Sequence, residues 1–218
     1  MNNLLGILLS FVFIFAVLFL ARFLEKYGKE YSRKAVHVLL CNWWLLAMAF
    51  FDNPLWAAVV PACFVVLNYL SYRFGLFSAM ERGEGKEDLG TVYYALSLLI
   101  LALATFGPLN APVIGGVGIL AMGYGDGLAA VVGKLRPIRQ YKVFKSKRSI
   151  GGSAVMFAAT FITTALLLNF TGQASVWLPA LAVAAAATVL EAVTPLGLDN
   201  LTVPLGASGI CWLMLNVI

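Results

Sequence analysis

Lysine and arginine are missing from all but three short segments of this chain, 22–34, 71–90 and 134–150. The rest of the sequence offers no cationic surface, so the net charge of +5 does not indicate nucleic-acid binding. Charge of either sign is scarce: 11% of residues are charged against 61% hydrophobic, with a mean hydropathy of +0.91. That balance excludes a soluble domain and points to an integral membrane protein. His37 is the single histidine, and Cys41, Cys63 and Cys211 lie in apolar stretches without metal-ligand spacing. The cysteines read as small buried apolar residues. A Gly-x-x-x-x-Gly-Lys-Ser/Thr loop is also absent, which excludes a P-loop nucleotide site. No basic residue precedes the first apolar run and no small-residue cleavage site follows it, so no cleaved signal peptide is expected.

What the chain does have is apolar runs, at about 4–21, 36–51, 54–70, 91–106, 111–133, 152–170, 175–193 and 201–217. A helix needs about 20 residues to cross a bilayer. The second, third and fourth runs are short and must borrow flanking residues or sit beside thinned lipid. The expectation is an all-α, polytopic membrane bundle of eight helices, with seven as the alternative, forming a single catalytic domain over 1–218. Eight crossings put all three basic segments on one side. The positive-inside rule makes that side the cytoplasm of a cell-membrane protein and leaves the N-terminus outside. Most acidic residues gather on the same side, among them Asp126, Glu191 and Asp199, while Asp52 is on the far side. A transporter more often places polar groups near the midplane.

Four constellations stand out. Gly123-Tyr124-Gly125-Asp126-Gly127 puts a carboxylate in an apolar run, at a cost of roughly 2.5–3.5 kcal/mol unless it has a partner. Asp126 reads either as a magnesium ligand near a nucleotide or as a carboxylate paired to a nearby Arg within a glycine packing face. The basic loop 134–153 ends in Lys145-Ser146-Lys147-Arg148-Ser149-Ile150-Gly151-Gly152-Ser153. Its backbone N–H groups at a helix start suit phosphate, although a basic loop also anchors to anionic lipid. Arg33-Lys34-Ala35-Val36-His37 places Arg33 and His37 on one helical face. Finally, Glu191 and Asp199-Asn200 bracket a Pro-Gly turn. Two carboxylates there suit magnesium held jointly with substrate phosphates, while Asp199 or Asn200 also suits a helix cap. A fifth stretch, Glu84–Thr91, reads as a solvated loop.

In this order the pieces resemble the polyprenol, dolichol and phytol kinase family, which includes the CTP-dependent diacylglycerol kinase. The Arg-Lys-x-x-His motif looks like Arg33–His37, the Gly-Asp-x-x-Ala motif like Gly125–Ala129, and the Lys-Ser/Thr-x-x-Gly-Ser motif like Arg148–Ser153. The closing Glu…Asp-Asn-Leu…Pro looks like Glu191, Asp199-Asn200-Leu201 and Pro204. One position departs: Arg148 stands where the family often has Lys, and Arg binds phosphate as a planar fork rather than a point charge. More distantly the chain is similar to CDP-diacylglycerol synthases.

The resemblance implies phosphoryl transfer from CTP, or else ATP, to the hydroxyl of a membrane lipid alcohol: phytol, farnesol, geranylgeraniol, a polyprenol or diacylglycerol. Magnesium is expected on Asp126 with Asp199 or Glu191. Lys145, Lys147, Arg148, Ser149, Gly151, Gly152, Ser153 and Asn200 are expected to hold the nucleotide. Arg33 or Lys34 would neutralise the transferred group, and His37 or a carboxylate would accept the hydroxyl proton. The competing readings are a cytidylyltransferase and a non-enzymatic transporter or scaffold. No nucleic-acid partner is expected, and glycine faces leave oligomerisation open.

Overall fold

The computed structural model describes residues 2–74, 89–135, 138–143, 146–195 and 197–217. Glu81, Glu84, Glu87, Asp88 and Lys145 lie outside them, as do the side chains of Ser146 and Lys147. Ten α-helices run in order among the described residues: α1 (Asn3–Leu24), α2 (Lys29–Leu40), α3 (Trp43–Phe50), α4 (Pro54–Phe74), α5 (Gly90–Thr105), α6 (Pro112–Leu120), α7 (Gly127–Leu135), α8 (Ile150–Phe170), α9 (Trp177–Val193) and α10 (Asp199–Val217). The all-α expectation holds, with one small β element added. The basic loop folds as a two-stranded antiparallel hairpin, β1 (Gln140–Val143) and β2 (Ser146–Ser149).

Helix α1 is inside-out by soluble standards. It buries Gly6, Ser10, Ile14, Val17 and Ala21 and exposes Leu8, Phe15, Phe19 and Phe23. Small residues inward and large apolar ones outward is the pattern of a helix against lipid, where close packing rather than hydrophobicity selects the interface. Four helical stretches are long and apolar enough to cross a membrane: Asn3–Tyr27, Pro54–Phe74, Pro112–Leu135 and Ile150–Phe170. The helices over the fourth and seventh apolar runs, Gly90–Thr105 and Trp177–Val193, are apolar but shorter. The run 36–51 is not one helix. It breaks at Cys41–Asn42, where the Asn42 amide donates to the carbonyls of Val38 and Leu39. Such local bonds compete with the helical ladder. Of the cysteines, Cys41 and Cys211 are buried as expected. Cys63 is exposed on the outer side of α4.

The 111–133 run lies at the centre of the bundle, largely enclosed by its neighbours. It is two helices, α6 and α7, joined by a π-helical turn over Ala121–Asp126. Around it α10 packs on α9, α6 and α5, while α8 packs on α7 and α9. Trp44 is fully buried against α6, its indole N–H donating to the Pro112 carbonyl at 2.9 Å. Asn3 donates to Asp52 at 2.9 Å, tying the N-terminus to the α3–α4 turn, at the other end of α1 from the 22–34 segment.

The π-helical turn comes close to α2. A Cβ on Gly123 would overlap the Cβ and Sγ of Cys41. Gly123→Ala therefore requires the helix that carries Lys34 and His37 to move away. The expected result is a loss of about 1–3 kcal/mol, typical of overpacking, read as a lower unfolding midpoint in detergent.

Candidate active site

Single turns in the π-helical form recur at functional sites because they re-aim side chains within a helix. Here the turn ends on Asp126, whose side chain faces α2. Lys34 Nζ donates to Asp126 Oδ2 at 3.0 Å, and His37 Nε2 stands 3.5 Å from the same oxygen. Both partners of the ion pair are buried, Lys34 at 5% exposure and Asp126 at 3%. The pairing satisfies the cost of an ionised group inside a membrane protein. Its partner is Lys34, across 92 residues, rather than an Arg. His37 Nε2 also lies 3.2 Å from the Met122 carbonyl. A nitrogen facing a carbonyl oxygen must carry the hydrogen, which leaves Nδ1 as the basic nitrogen. The ring meets Tyr94 edge-on, at 4.9 Å between centroids.

The second charged group is built by the hairpin. Ser149 ends β2 and caps α8, its Oγ accepting from Gly152 N at 3.1 Å. A Ser at this position satisfies one of the N–H groups that a helix start leaves open. Ile150 N–H is already spent on the Arg139 carbonyl, and the hydroxyls of Tyr141 and Ser153 share a 2.6 Å hydrogen bond. This holds Arg148, paired in register with Tyr141, against α9 and α10. Its guanidinium bridges Glu191 Oε1 at 2.6 Å and Asp199 Oδ2 at 3.4 Å, and also donates to the Thr194 carbonyl. Asp199 in turn accepts from the N–H groups of Gly197 and Asn200 through Oδ1. Gly197 takes φ 91°, a left-handed conformation that glycine tolerates without strain, so the Pro-Gly turn can close on Asp199. Asn200 donates its side-chain amide to the Gly90 carbonyl at 2.9 Å, joining the starts of α10 and α5.

These groups face one cavity of about 250 Å³. Arg33, Lys34, Asp126, Arg148, Glu191 and Asp199 all line it, as do Ser149, Gly152, Ser153 and Asn200. Residues as far apart in the chain as Arg33 and Asn200 thus converge. Gly151 does not line the cavity, and the N–H groups of Ile150 and Gly152 are engaged within the protein. The phosphate cradle expected at this helix start is accordingly narrower than the sequence implies. His37 lies one layer away, on a second, apolar cavity that Arg33 and Asn200 also line. Lys134 and Gln140 line the charged cavity and were not singled out from sequence. Lys134 is one basic residue among seven in its loop, and nothing local marks a lone Gln.

Among the described residues no three of His, Cys, Asp and Glu converge as a metal-holding set. Each carboxylate already faces a cation. Asp126 engages Lys34 through Oδ2 and Glu191 engages Arg148 through Oε1, so one oxygen of each stands outside these contacts. Such a donor set fits magnesium held by one or two carboxylates together with phosphates. It does not fit an ion caged by protein alone.

Apolar helices of membrane-crossing length, with their buried charges collected in one cleft, define a helical membrane protein with a polar, charged site. No family model matches the chain, and no solved structure matches it. Curated proteins do. The chain is 37% identical over 191 residues to a phytol kinase of Synechocystis sp., covering 84% of this chain and 78% of that one. It is 36% identical over 206 residues to a probable chloroplastic phytol kinase of Triticum aestivum, covering 84% and 67%. A Zea mays protein described in the same words is 31% identical over 206 residues. The chain belongs to the polyprenol and phytol kinase family.

Proposed function

We propose that the protein is a membrane lipid-alcohol kinase. It transfers the terminal phosphate of a nucleoside triphosphate, CTP by family resemblance, to the hydroxyl of phytol or a related isoprenoid alcohol. The observation that carries this reading is the common wall of two unlike cavities. The charged one suits a triphosphate and the apolar one suits a lipid tail. Arg33 and Asn200 belong to both, so an alcohol seated in the second presents its hydroxyl to the first.

Phosphoryl transfer asks a protein chiefly for positioning and charge stabilisation. In this reading Arg148 and Lys134 hold the donor phosphates, with Lys145 and Lys147 as further contacts. Arg33 and Lys34 stabilise charge on the group in flight. Magnesium, when bound through Asp126 and Glu191 or Asp199, supplies neutralisation of the donor phosphates. His37 accepts the hydroxyl proton at Nδ1, and Asp126 stabilises the imidazolium from the other side. The alcohol oxygen bonds to the terminal phosphorus as the bond to the nucleoside diphosphate breaks. Eight crossings, an N-terminus outside and a site open to the cytoplasm complete the proposal, supported by the placement of the basic segments.

The test is to incubate purified protein with magnesium, CTP or ATP, and phytol, farnesol, geranylgeraniol, a polyprenol or diacylglycerol, and to identify the nucleotide product. A nucleoside diphosphate with a phosphorylated alcohol is the expected result. Pyrophosphate with a CDP-lipid moves the protein to the cytidylyltransferases, and no turnover with any pair removes the kinase reading.

A further inference from the structure

The apolar cavity has a top, a length and a floor. Its top is polar: Arg33 and Asn200 adjoin the charged site, and Asn68 donates to the Thr91 carbonyl at 2.9 Å, tying α4 to α5 at that level. Its walls descend in step along four helices. On α2 the lining runs from Arg33 through Val36 and His37 to Leu40, and on into α3 at Trp43. On α1 it runs from Arg22 to Ile14. At 1.5 Å per residue these paths are about 12–15 Å long. The free volume is about 140 Å³.

The floor is Trp43. It is buried, and its indole N–H donates to Ser10 Oγ at 2.9 Å. Trp44 packs edge-on against it at 6.2 Å, and Phe51 lies beside it at 6.3 Å. A ring held by a hydrogen bond and two aromatic neighbours does not swing aside. Val60 and Pro61 of α4 line the same cavity.

Resting on the kinase reading, we infer that this cavity is the seat for the alcohol's tail and that Trp43 sets its depth. Among prenyl alcohols, preference is then set by the distance from the hydroxyl position to Trp43.

Two variants test this in opposite directions. Trp43→Leu removes the floor without orphaning Ser10, whose hydroxyl still donates to the Gly6 carbonyl. It is expected to raise kcat/KM for polyprenol relative to phytol by about tenfold, the scale at which small changes in an apolar pocket discriminate. Leu40→Phe, at a half-buried position about one helical turn above the floor, is expected to shift preference toward farnesol by a similar factor. The second readout needs no turnover: thermal stabilisation of each purified variant in detergent by farnesol, phytol, polyprenol and diacylglycerol. If both variants keep the parent's ranking of alcohols within about twofold, the seat is elsewhere. If no variant phosphorylates anything but the length-dependent stabilisation shifts as described, the seat stands and the kinase reading falls. If Trp43→Leu does not fold, Leu40→Phe alone decides.

Discussion

An Asp126→Asn variant is expected to lose phosphoryl transfer by about a hundredfold or more, the lower range for removing a group that acts in proton transfer or charge positioning. Asp126 faces two of the residues that the proposed chemistry uses, Lys34 at 3.0 Å and His37 at 3.5 Å. The amide keeps the shape but not the charge. It therefore leaves the Lys34 ammonium buried without a counter-ion and the imidazolium of the transfer step without its anionic neighbour. Breaking a buried ion pair from one side typically costs about 3–5 kcal/mol, so lost activity alone does not separate chemistry from folding. The double variant Lys34→Met with Asp126→Leu does. Replacing both partners by apolar residues is often neutral or stabilising, so it is expected to recover the unfolding midpoint and to remain inactive. Parent-like turnover by Asp126→Asn in the nucleotide-product assay would falsify the role given to this carboxylate.

Arg148 is the second position with a large expected effect. Among the described residues it bridges Glu191 and Asp199, both buried, and it also serves the Thr194 carbonyl. Arg148→Ala removes the cation from between two buried carboxylates. The expected cost is about 3–5 kcal/mol, seen as a marked drop in midpoint in detergent. Arg148→Lys is the informative control. Lys is what the resembled family often carries here, and its ammonium keeps the charge. As a single point it cannot span both carboxylates as the planar fork does. A folded, active Arg148→Lys enzyme with a KM for nucleotide raised about tenfold, a loss of about 1.4 kcal/mol, is the expected result. An unchanged KM would show that the fork serves only the α8–α9–α10 junction and not the phosphates.

Much of this was legible without coordinates because it depends on local rules. Apolar runs announce membrane helices. An Asp among glycines in an apolar run announces a partnered charge. The motif order picked out Lys34, His37, Asp126, Arg148, Glu191 and Asp199. Five of these line one cavity, and the sixth, His37, stands beside it. The illegible parts are those in which two nearby solutions satisfy the same composition. A 16-residue apolar run reads the same whether it is one helix or two, and only the Asn42 side-chain bonds decided for two. The basic loop reads from sequence only as a phosphate-binding loop or a lipid anchor, and its hairpin, with Tyr141 paired to Arg148, came from the structure alone.

By itself, then, the sequence determined the solvent this protein folds in and the identity of its charged residues. Both follow from transfer free energies that act residue by residue. Which charge answers which was decided only by the tertiary structure. Lys34 reaches Asp126 because the π-helical turn aims the carboxylate at α2. Arg148 meets two carboxylates because the capped hairpin lays β2 against α9 and α10. Lys134 and Gln140 line the charged cavity and Gly151 does not, for the same reason: proximity between residues distant in the chain, such as Lys34 and Asp126, is a property of packing, which no spacing in the chain encodes.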